Sequence, residues 1–172
     1  MTTVKQVLAL IVLGLVLIGY HPQCLADPTI PDHFNQPAEN LITGGQPSQA
    51  DLKQLKEAGI SKVINLRGPD EPISFDEQAA AEALGLTYIS LPVAGAGDVT
   101  VEKARALYQH LQSDDKILIH CASGNRVGAL LAIGAHDING KPITESLEFG
   151  RAAGLSSLEP TVRSVLNVQT QQ

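Results

Sequence analysis

Short runs of branched and aromatic residues, separated by segments of helical periodicity, constrain the fold of this chain more than any other feature. The clearest runs are "KVINL" at 62–66, "LTYISL" at 86–91 and "KILIH" at 116–120, with a weaker one, "LITG", at 41–44. Strands that alternate with helices form crossover units, which build a mainly parallel sheet covered on both faces. The sequence therefore predicts an α/β fold, a single compact domain with a mainly parallel central sheet of about four or five strands flanked by helices.

The helical segments between these runs carry explicit start signals. Ser48 with Asp51 matches an acidic capping box, and Ser74 with Glu77 repeats the same spacing. Thr100 is the predicted cap of the helix that precedes the last strand. Three further helices are predicted after that strand, at 126–137, 144–153 and 158–168.

The chain begins with one basic residue and an apolar stretch, "VLALIVLGLVLI", at 7–18. Its length suits the apolar core of a signal peptide and falls short of the roughly 20 residues that span a bilayer. We therefore expect a signal peptide at 1–26 that is cleaved after Ala26, with an uncleaved anchor as the alternative. Residues 27–40 contain three prolines and are predicted to be an extended lead-in, and 41–172 to be the folded domain.

Removal of the leader leaves 146 of the 172 residues, with 11 basic and 18 acidic residues and a net charge of −7. This size is ordinary for one domain, and the acidic balance argues against nucleic acid or an anionic membrane as the main partner. Of the two cysteines only Cys121 then remains, so no internal disulfide can form. We expect a periplasmic or secreted protein with no stable membrane contact after leader cleavage; the sequence indicates no oligomeric state.

The segment "HCASGNR" at 120–126 follows the last predicted strand and precedes a helix. Backbone amides at a helix start point into such a loop, and the helix dipole adds positive potential there. Together with the Arg126 guanidinium, these amides favour the thiolate form of Cys121 near neutral pH and could bind a phosphate, two of whose oxygens Arg126 would hold. His120 is predicted to order the loop by hydrogen bonding. The predicted phosphate-binding residues between the cysteine and the arginine are Ala122, Ser123, Gly124 and Asn125.

The same residues resemble the signature of the cysteine-dependent protein tyrosine and dual-specificity phosphatase superfamily, which has a histidine, a cysteine, a glycine-containing loop and an arginine. The segments "LITGGQPSQADLKQLKEAGISKVINLRGPDE" and "EALGLTYISLPV" are similar to a bacterial subgroup, the beta-lactamase-hydrolase-like phosphatases. The resemblance implies a dual-specificity-phosphatase-like domain in which Cys121 attacks phosphorus and water hydrolyses the phosphocysteine intermediate. It also implies that Arg126 stabilises the transition state, and that the substrate is a phosphorylated small molecule or a phosphoprotein.

Three features depart from the superfamily pattern. Four residues, rather than the common five, separate Cys121 from Arg126. Val127 follows the arginine, where a serine or threonine is frequent, although Ser123 could supply a hydroxyl. No aspartate comes directly after the "LPV" that ends the preceding strand, where the general acid of dual-specificity enzymes usually lies, and the first carboxylate there belongs to Asp98.

Two charged residues have roles that the sequence leaves open. Asp98 is either the general acid, brought over the site by the glycine-rich loop "AGAGD", or a solvated residue before a helix cap. Arg67, in "NLRGPDE", is either a second contact to the phosphate or a surface cation. Because Arg67 follows a predicted strand, it should lie at the same edge of the sheet as the cysteine loop.

Two other functions compete with phosphate hydrolysis. A four-residue loop is also typical of rhodanese-like sulfurtransferases, in which Cys121 would carry a persulfide, but their usual upstream motifs are absent from this chain. A non-catalytic module that binds a phosphorylated ligand is the third reading. Nothing in the sequence calls for a cofactor or metal, since the remaining histidines lack metal-ligand spacing; they stand at 21, 33, 110 and 136. The sequence favours an exported phosphatase that hydrolyses a phosphomonoester.

Overall fold

The structure is a computed structural model that describes residues 29–169; the predicted signal peptide at 1–26 lies outside these residues. Five strands form one sheet: β1 (Asn35–Ala38), β2 (Leu41–Gly44), β3 (Lys62–Asn65), β4 (Thr87–Ser90) and β5 (Ile117–His120). Six helices surround it: α1 (Gln49–Glu57), α2 (Glu77–Ala83), α3 (Val101–Gln109), α4 (Asn125–Asp137), α5 (Ile143–Ala152) and α6 (Glu159–Gln169). A 3₁₀ turn spans Ala96–Asp98.

The strand order is β1-β2-β5-β3-β4, and all neighbours run parallel except β1, which is antiparallel to β2. The prediction of a single α/β domain with a mainly parallel sheet is therefore confirmed. Strand β5 lies between β2 and β3, so the residues that follow it emerge at the middle of the sheet's carboxyl edge. This edge is where ligands bind in open parallel sheets.

Strand β1 lies within the segment that the sequence predicted to be an extended lead-in without regular structure. It pairs with β2 at Asn35 and Thr43, and Pro37 is tolerated because an edge strand has one side without sheet partners. The side chain of Phe34 is buried, and its ring lies so close to Gly44 that a Cβ there would come within 2.5 Å. The lead-in thus contributes a strand and a core residue.

The predicted capping of α1 and α3 is confirmed. Ser48 Oγ accepts a hydrogen bond from the Asp51 N–H at 3.1 Å, and Asp51 Oδ2 accepts one from the Ser48 N–H at 2.8 Å, which completes a capping box. Thr100 Oγ1 accepts the Lys103 N–H at 3.3 Å at the start of α3.

The second predicted capping box, Ser74 with Glu77, is wrong. Asp76 is the N-cap of α2, and its Oδ1 accepts the Ala79 N–H at 3.0 Å. Glu77 is instead the first residue of the helix and is 1% exposed. The spacing alone could not distinguish these arrangements, because Asp76 offers the same kind of cap two residues further on.

The two faces of the sheet carry different helices. Side chains alternate along a strand, so β5 directs Leu118 and His120 to one face and Ile117 and Ile119 to the other. The first face packs against α1 and α2, and the second against α3 to α6. No helix within residues 29–169 is both long enough and apolar enough to cross a membrane.

Helix α4 packs with its backbone almost in contact with α5 and the segment after it. A Cβ on Gly128 would lie 2.2 Å from the Leu155 nitrogen and 2.5 Å from the Gly150 oxygen. A Cβ on Gly150 would lie 2.7 Å from the Ala132 Cβ. These distances are too short for real contacts, so the interface requires glycine at both positions.

Gly128→Ala should lower the free energy of unfolding by about 1–3 kcal/mol, because the added methyl group would displace backbone atoms around Leu155. This cost outweighs the roughly 1 kcal/mol that alanine gains over glycine within a helix. Urea unfolding followed by circular dichroism measures the change. Gly97→Ala is the control, since a Cβ at Gly97 meets nothing within 4 Å. Equal unfolding free energies for the two variants would contradict the described packing.

Candidate active site

Cys121 follows β5 directly, and α4 begins four residues later. Its side chain is 1% exposed, and its Sγ accepts a hydrogen bond from the Gly124 N–H at 3.1 Å. Gly124 has a φ of 89°, in the left-handed region that favours glycine, and this turn directs the start of α4 at the sulfur. The first N–H groups of a 13-residue helix and the positive end of its dipole therefore lie next to Cys121.

The backbone of the cysteine loop is held between two other segments. Ser123 forms an isolated bridge with Gly45, just after β2. A Cβ on Gly124 would lie 3.4 Å from the Gly44 backbone, and a Cβ on Gly154 would lie 3.2 Å from the Gly124 oxygen. The loop thus packs by backbone contact against the end of β2 and against the segment between α5 and α6.

Asn125 joins the loop to the segment between α5 and α6. Its Oδ1 accepts the N–H groups of Ser156 at 2.8 Å and Leu158 at 3.3 Å, and its Nδ2 donates to Ser157 Oγ at 2.7 Å. These contacts hold the Asn125 side chain against the segment between α5 and α6, and the predicted phosphate contact at Asn125 stays a prediction. Of the other predicted phosphate-binding residues, Ala122 and Ser123 are exposed.

Arg126 lies on the first turn of α4 and forms a two-bonded ion pair with Glu71. Nη1 lies 2.5 Å from Oε1 and Nη2 lies 2.7 Å from Oε2, and Nη1 also donates to the Val93 carbonyl at 2.8 Å. The Arg126 hydrogen bonds, opposed by partial burial, lower the pKa of Glu71 to about 2. The Glu71 carboxylate raises the pKa of Arg126, and the nearby Cys121 sulfur adds to this effect. Sequence analysis missed Glu71, because nothing local distinguishes it from other acids of its loop.

Arg67 organises the loop that carries Glu71. Its guanidinium donates to Gln46 Oε1 and to the Pro72 carbonyl, the latter at 2.5 Å, and its Nε lies 3.4 Å from Glu71 Oε2. The residue is only 7% exposed, so the alternative of a surface cation is wrong. A direct contact between Arg67 and a phosphate stays a prediction.

Asp98 ends the 3₁₀ turn in the loop after β4. Its Oδ2 accepts the Ala94 N–H at 3.0 Å and lies 3.7 Å from Lys103 Nζ, and its side chain is 40% exposed. The loop begins at Val93, whose carbonyl binds Arg126. Asp98 therefore belongs to a loop that is anchored at the site, while its carboxylate is bonded within that loop. Its role as general acid stays a prediction.

His120 is fully buried on the side of the sheet that faces α2. Its Nδ1 lies 3.4 Å from the Cys121 carbonyl oxygen, and its Nε2 lies 2.8 Å from Oε1 of the buried Glu77. Asn65 Nδ2 donates to Glu77 Oε2 at 3.3 Å and to the Tyr88 hydroxyl at 2.8 Å. His120 thus contacts the loop, as predicted, but its carboxylate partner was missed because Glu77 had been assigned to a helix cap.

The chain has a mainly parallel α/β sheet, a cysteine loop between the central strand and a helix, and an arginine on the first turn of that helix. These features place it in the cysteine-dependent phosphatase superfamily. The family model described as "Beta-lactamase hydrolase-like protein, phosphatase-like domain" matches residues 34–138. The chain belongs to this family, and the family predicted from the sequence is confirmed.

Comparison with two relatives shows how similar this chain is to longer members of the family and what share of their length it covers. It is 31% identical over 122 residues to the beta-lactamase hydrolase-like protein of Agrobacterium fabrum. It is 32% identical, also over 122 residues, to that of Xylella fastidiosa strain Temecula1. Each alignment covers 67% of this chain, and the chain spans about 28% of the length of these curated relatives.

Solved structures share the fold. A phosphatase candidate from Neisseria meningitidis superposes with a TM-score of 0.65 at 24% identity, over 77% of this chain and 96% of that one. P. aeruginosa TpbA, in complex with phosphotyrosine, gives 0.58 at 17% identity, over 82% and 93%. The core catalytic domain of the PP-IP phosphatase SIW14 from S. cerevisiae gives 0.59 at 18%, over 80% and 86%. At these identities the comparison shows a common fold.

The ion pair between Glu71 and Arg126 should make part of the stability depend on pH in the acid range. The pKa of Glu71 falls from 4.5 to about 2 on folding, so the pair stabilises the domain fully above 4.5 and is lost as the pH falls toward 2. The difference in unfolding free energy between the parent and Glu71→Gln should be constant above about pH 5 and shrink below it.

Denaturant titrations from neutral to acid pH measure this difference. Glu57→Gln, at an exposed position of α1, is the matched control for removal of one carboxylate. The pairing would be contradicted if the difference in unfolding free energy between the parent and Glu71→Gln stayed the same down to the lowest pH at which the domain is folded.

Proposed function

We propose that the chain is an exported cysteine-dependent phosphatase that hydrolyses a phosphomonoester. The arrangement between β5 and α4 carries the proposal: Cys121 Sγ faces the Gly124 N–H at a helix start, and Arg126 is held by Glu71. A sulfur nucleophile and an oriented guanidinium are the groups that phosphoryl transfer through a thiol requires. Membership in a phosphatase-like family supports phosphate, rather than sulfur, as the transferred group.

The donors of Arg126 suit a phosphoryl group. A guanidinium has five N–H donors, and Glu71 and Val93 accept three of them, two on Nη1 and one on Nη2. The Nε–H and the second Nη2–H bind neither Glu71 nor Val93, and these two donors form one edge of the planar group. They can bind two phosphoryl oxygens while the ion pair with Glu71 stays intact. Glu71 then fixes the orientation of Arg126 without competing for that edge.

In the first step the Cys121 thiolate attacks phosphorus, so that an S–P bond forms and the P–O bond to the leaving group breaks. Asp98 donates a proton to the departing oxygen, and the two glycines that precede it, Gly95 and Gly97, let its loop move toward the sulfur. In the second step Asp98 accepts a proton from water, which attacks phosphorus. The S–P bond breaks, and phosphate and the thiolate are released.

The proposed location and substrate follow from the sequence. The apolar leader at 1–26 supports export to the periplasm or the medium, with cleavage after Ala26. The substrate is a phosphorylated small molecule or a phosphoprotein. Binding of such a substrate does not require a basic surface, because the site relies on N–H donors that are directed at the phosphoryl group. The protein as a whole is acidic.

Release of phosphate from an aryl phosphate should be abolished by Cys121→Ser, because the hydroxyl is a far weaker nucleophile at neutral pH. The mature protein, residues 27–172, is assayed with p-nitrophenyl phosphate beside Asp114→Asn, at an exposed position outside the site, which should keep the parent rate. A rate for Cys121→Ser equal to that of the parent would contradict the proposal.

The same preparations distinguish the competing functions. Thiocyanate formed from thiosulfate and cyanide, in the absence of phosphate release, would assign the chain to sulfurtransferases. Saturable binding of aryl phosphate without turnover would assign it to non-catalytic phospholigand binders.

Asp98→Asn should reduce kcat according to the leaving group. We expect a small change with p-nitrophenyl phosphate, whose leaving group needs no proton, and a loss of about 10²-fold or more with an alkyl phosphate. Steady-state kinetics with both substrates test this, and Asp114→Asn, at an exposed position before β5, is the control. Equal losses with both substrates would show that Asp98 is not the general acid.

A further inference from the structure

A buried arginine that the proposed reaction does not use lies next to the ion pair of Glu71 with Arg126. Arg67 follows the end of β3, and only 7% of the residue is exposed. Removing a guanidinium from water is costly, so arginine is rarely buried unless its donors have defined partners. Neither step of the proposed reaction involves Arg67. Its burial therefore calls for another explanation.

The partners of Arg67 lie in two separate loops. Its Nη2 donates to the Pro72 carbonyl at 2.5 Å, and its Nε lies 3.4 Å from Glu71 Oε2; both partners belong to the loop between β3 and α2. Its Nη1 donates to Gln46 Oε1, in the segment between β2 and α1. Strand β5 lies between β2 and β3 in the sheet. The guanidinium therefore joins the two loops that flank the end of β5, where the cysteine loop begins.

Both of these loops also contact the cysteine loop or the helix that follows it. The residue before Gln46 forms the isolated bridge with Ser123. Glu71, in the other loop, binds Arg126 through both of its oxygens. Ser123 and Arg126 are thus each attached to a neighbouring loop, and Arg67 joins these two loops to one another. The contacts form a closed path from Ser123, through Arg67, to Arg126.

The Glu71 carboxylate is also held by N–H groups other than those of Arg126. Its Oε1 accepts the Gly68 N–H at 2.8 Å, and the Nε of Arg67 lies beside its Oε2. Each oxygen therefore faces Arg126 and one further N–H group. These further groups fix the plane of the carboxylate. Because a two-bonded pair of a carboxylate and a guanidinium is planar, the plane of the carboxylate in turn sets the plane of Arg126.

We propose that Arg67 is a positioning residue that acts through Glu71. It holds the Glu71 carboxylate so that Arg126 keeps its Nε and Nη2 edge directed at the phosphoryl group. A donor that is oriented in advance loses less conformational entropy when the anion binds, so the affinity for the anion should depend on Arg67. The inference rests on the proposed function in one respect, that Arg126 binds the phosphoryl group.

The test is the affinity of the mature protein, residues 27–172, for tungstate, a tetrahedral oxyanion, measured by isothermal titration calorimetry. Arg67→Lys keeps the positive charge but lacks the planar fork that reaches three acceptors. We expect this change to raise the Kd for tungstate by about tenfold. In a Glu71→Gln background the same change should have no further effect, because the residue through which Arg67 acts is already altered.

Arg105→Lys is the matched control. It makes the same change at another two-bonded ion pair, with Asp137 at the far end of α4 from the site, and should keep the parent Kd. A direct contact of Arg67 with the anion, or a role in general stability alone, would give the same change in Kd with and without Glu71. That result, or an unchanged Kd for Arg67→Lys, would overturn the inference.

Gln46→Ala is a second variant that leaves Arg67 in place and removes one of its acceptors. It should raise the Kd by about threefold, again only when Glu71 is present, and it decides the question if Arg67→Lys does not fold. Tungstate binding without turnover of any phosphomonoester would count against the proposed function and leave the inference standing. Absence of tungstate binding to the parent would overturn the inference, because Arg126 would then present no edge to an anion.

Discussion

The close backbone contacts around Gly124 are the constraint on which the site depends. Gly124 packs against Gly44 at the end of β2, where an added Cβ would meet the Gly44 backbone at 3.4 Å, and against Gly154 between α5 and α6, where a Cβ on Gly154 would lie 3.2 Å from the Gly124 oxygen. Because these segments approach so closely, the loop closes in four residues and the Gly124 N–H reaches the Cys121 sulfur. A shorter loop than the superfamily usually has is thus compatible with a helix start directed at the sulfur.

The Arg126–Glu71 ion pair and the contact between His120 and Glu77 support this loop from opposite faces of the sheet, and they differ in exposure. The pair of Arg126 with Glu71 lies near the surface, with 13% and 29% of the side chains exposed. The pair of His120 with Glu77 is buried. The Arg126 guanidinium is matched by the Glu71 carboxylate, so the site carries little net positive charge. The proposed recognition of an anion would therefore depend on the direction of N–H groups and not on a broad basic surface.

Much of this could be predicted from the sequence, because the signals are local. Each of these signals spans only a few positions along the chain. They are the runs of strand-forming residues, the caps at Ser48 and Thr100, and the order of residues in "HCASGNR". The contacts that were missed join residues far apart, such as Glu71 with Arg126, 55 positions away. The sequence around a single acidic residue in a loop does not indicate which residue forms an ion pair with it. At Glu77 a local pattern was misleading, because capping spacing coincided with a residue that tertiary contacts bury.

The contacts of Asn125 bear on where the C-terminal boundary of this domain should be drawn. The family match ends at residue 138, before α5 and α6. Yet Asn125, one residue before Arg126, is bonded to the segment that joins those two helices. The cysteine loop and the segment between the C-terminal helices are therefore joined by direct hydrogen bonds. In this chain, a boundary drawn at residue 138 would separate Asn125 from its partners, so a module built from it for fusion or swapping should extend through α6.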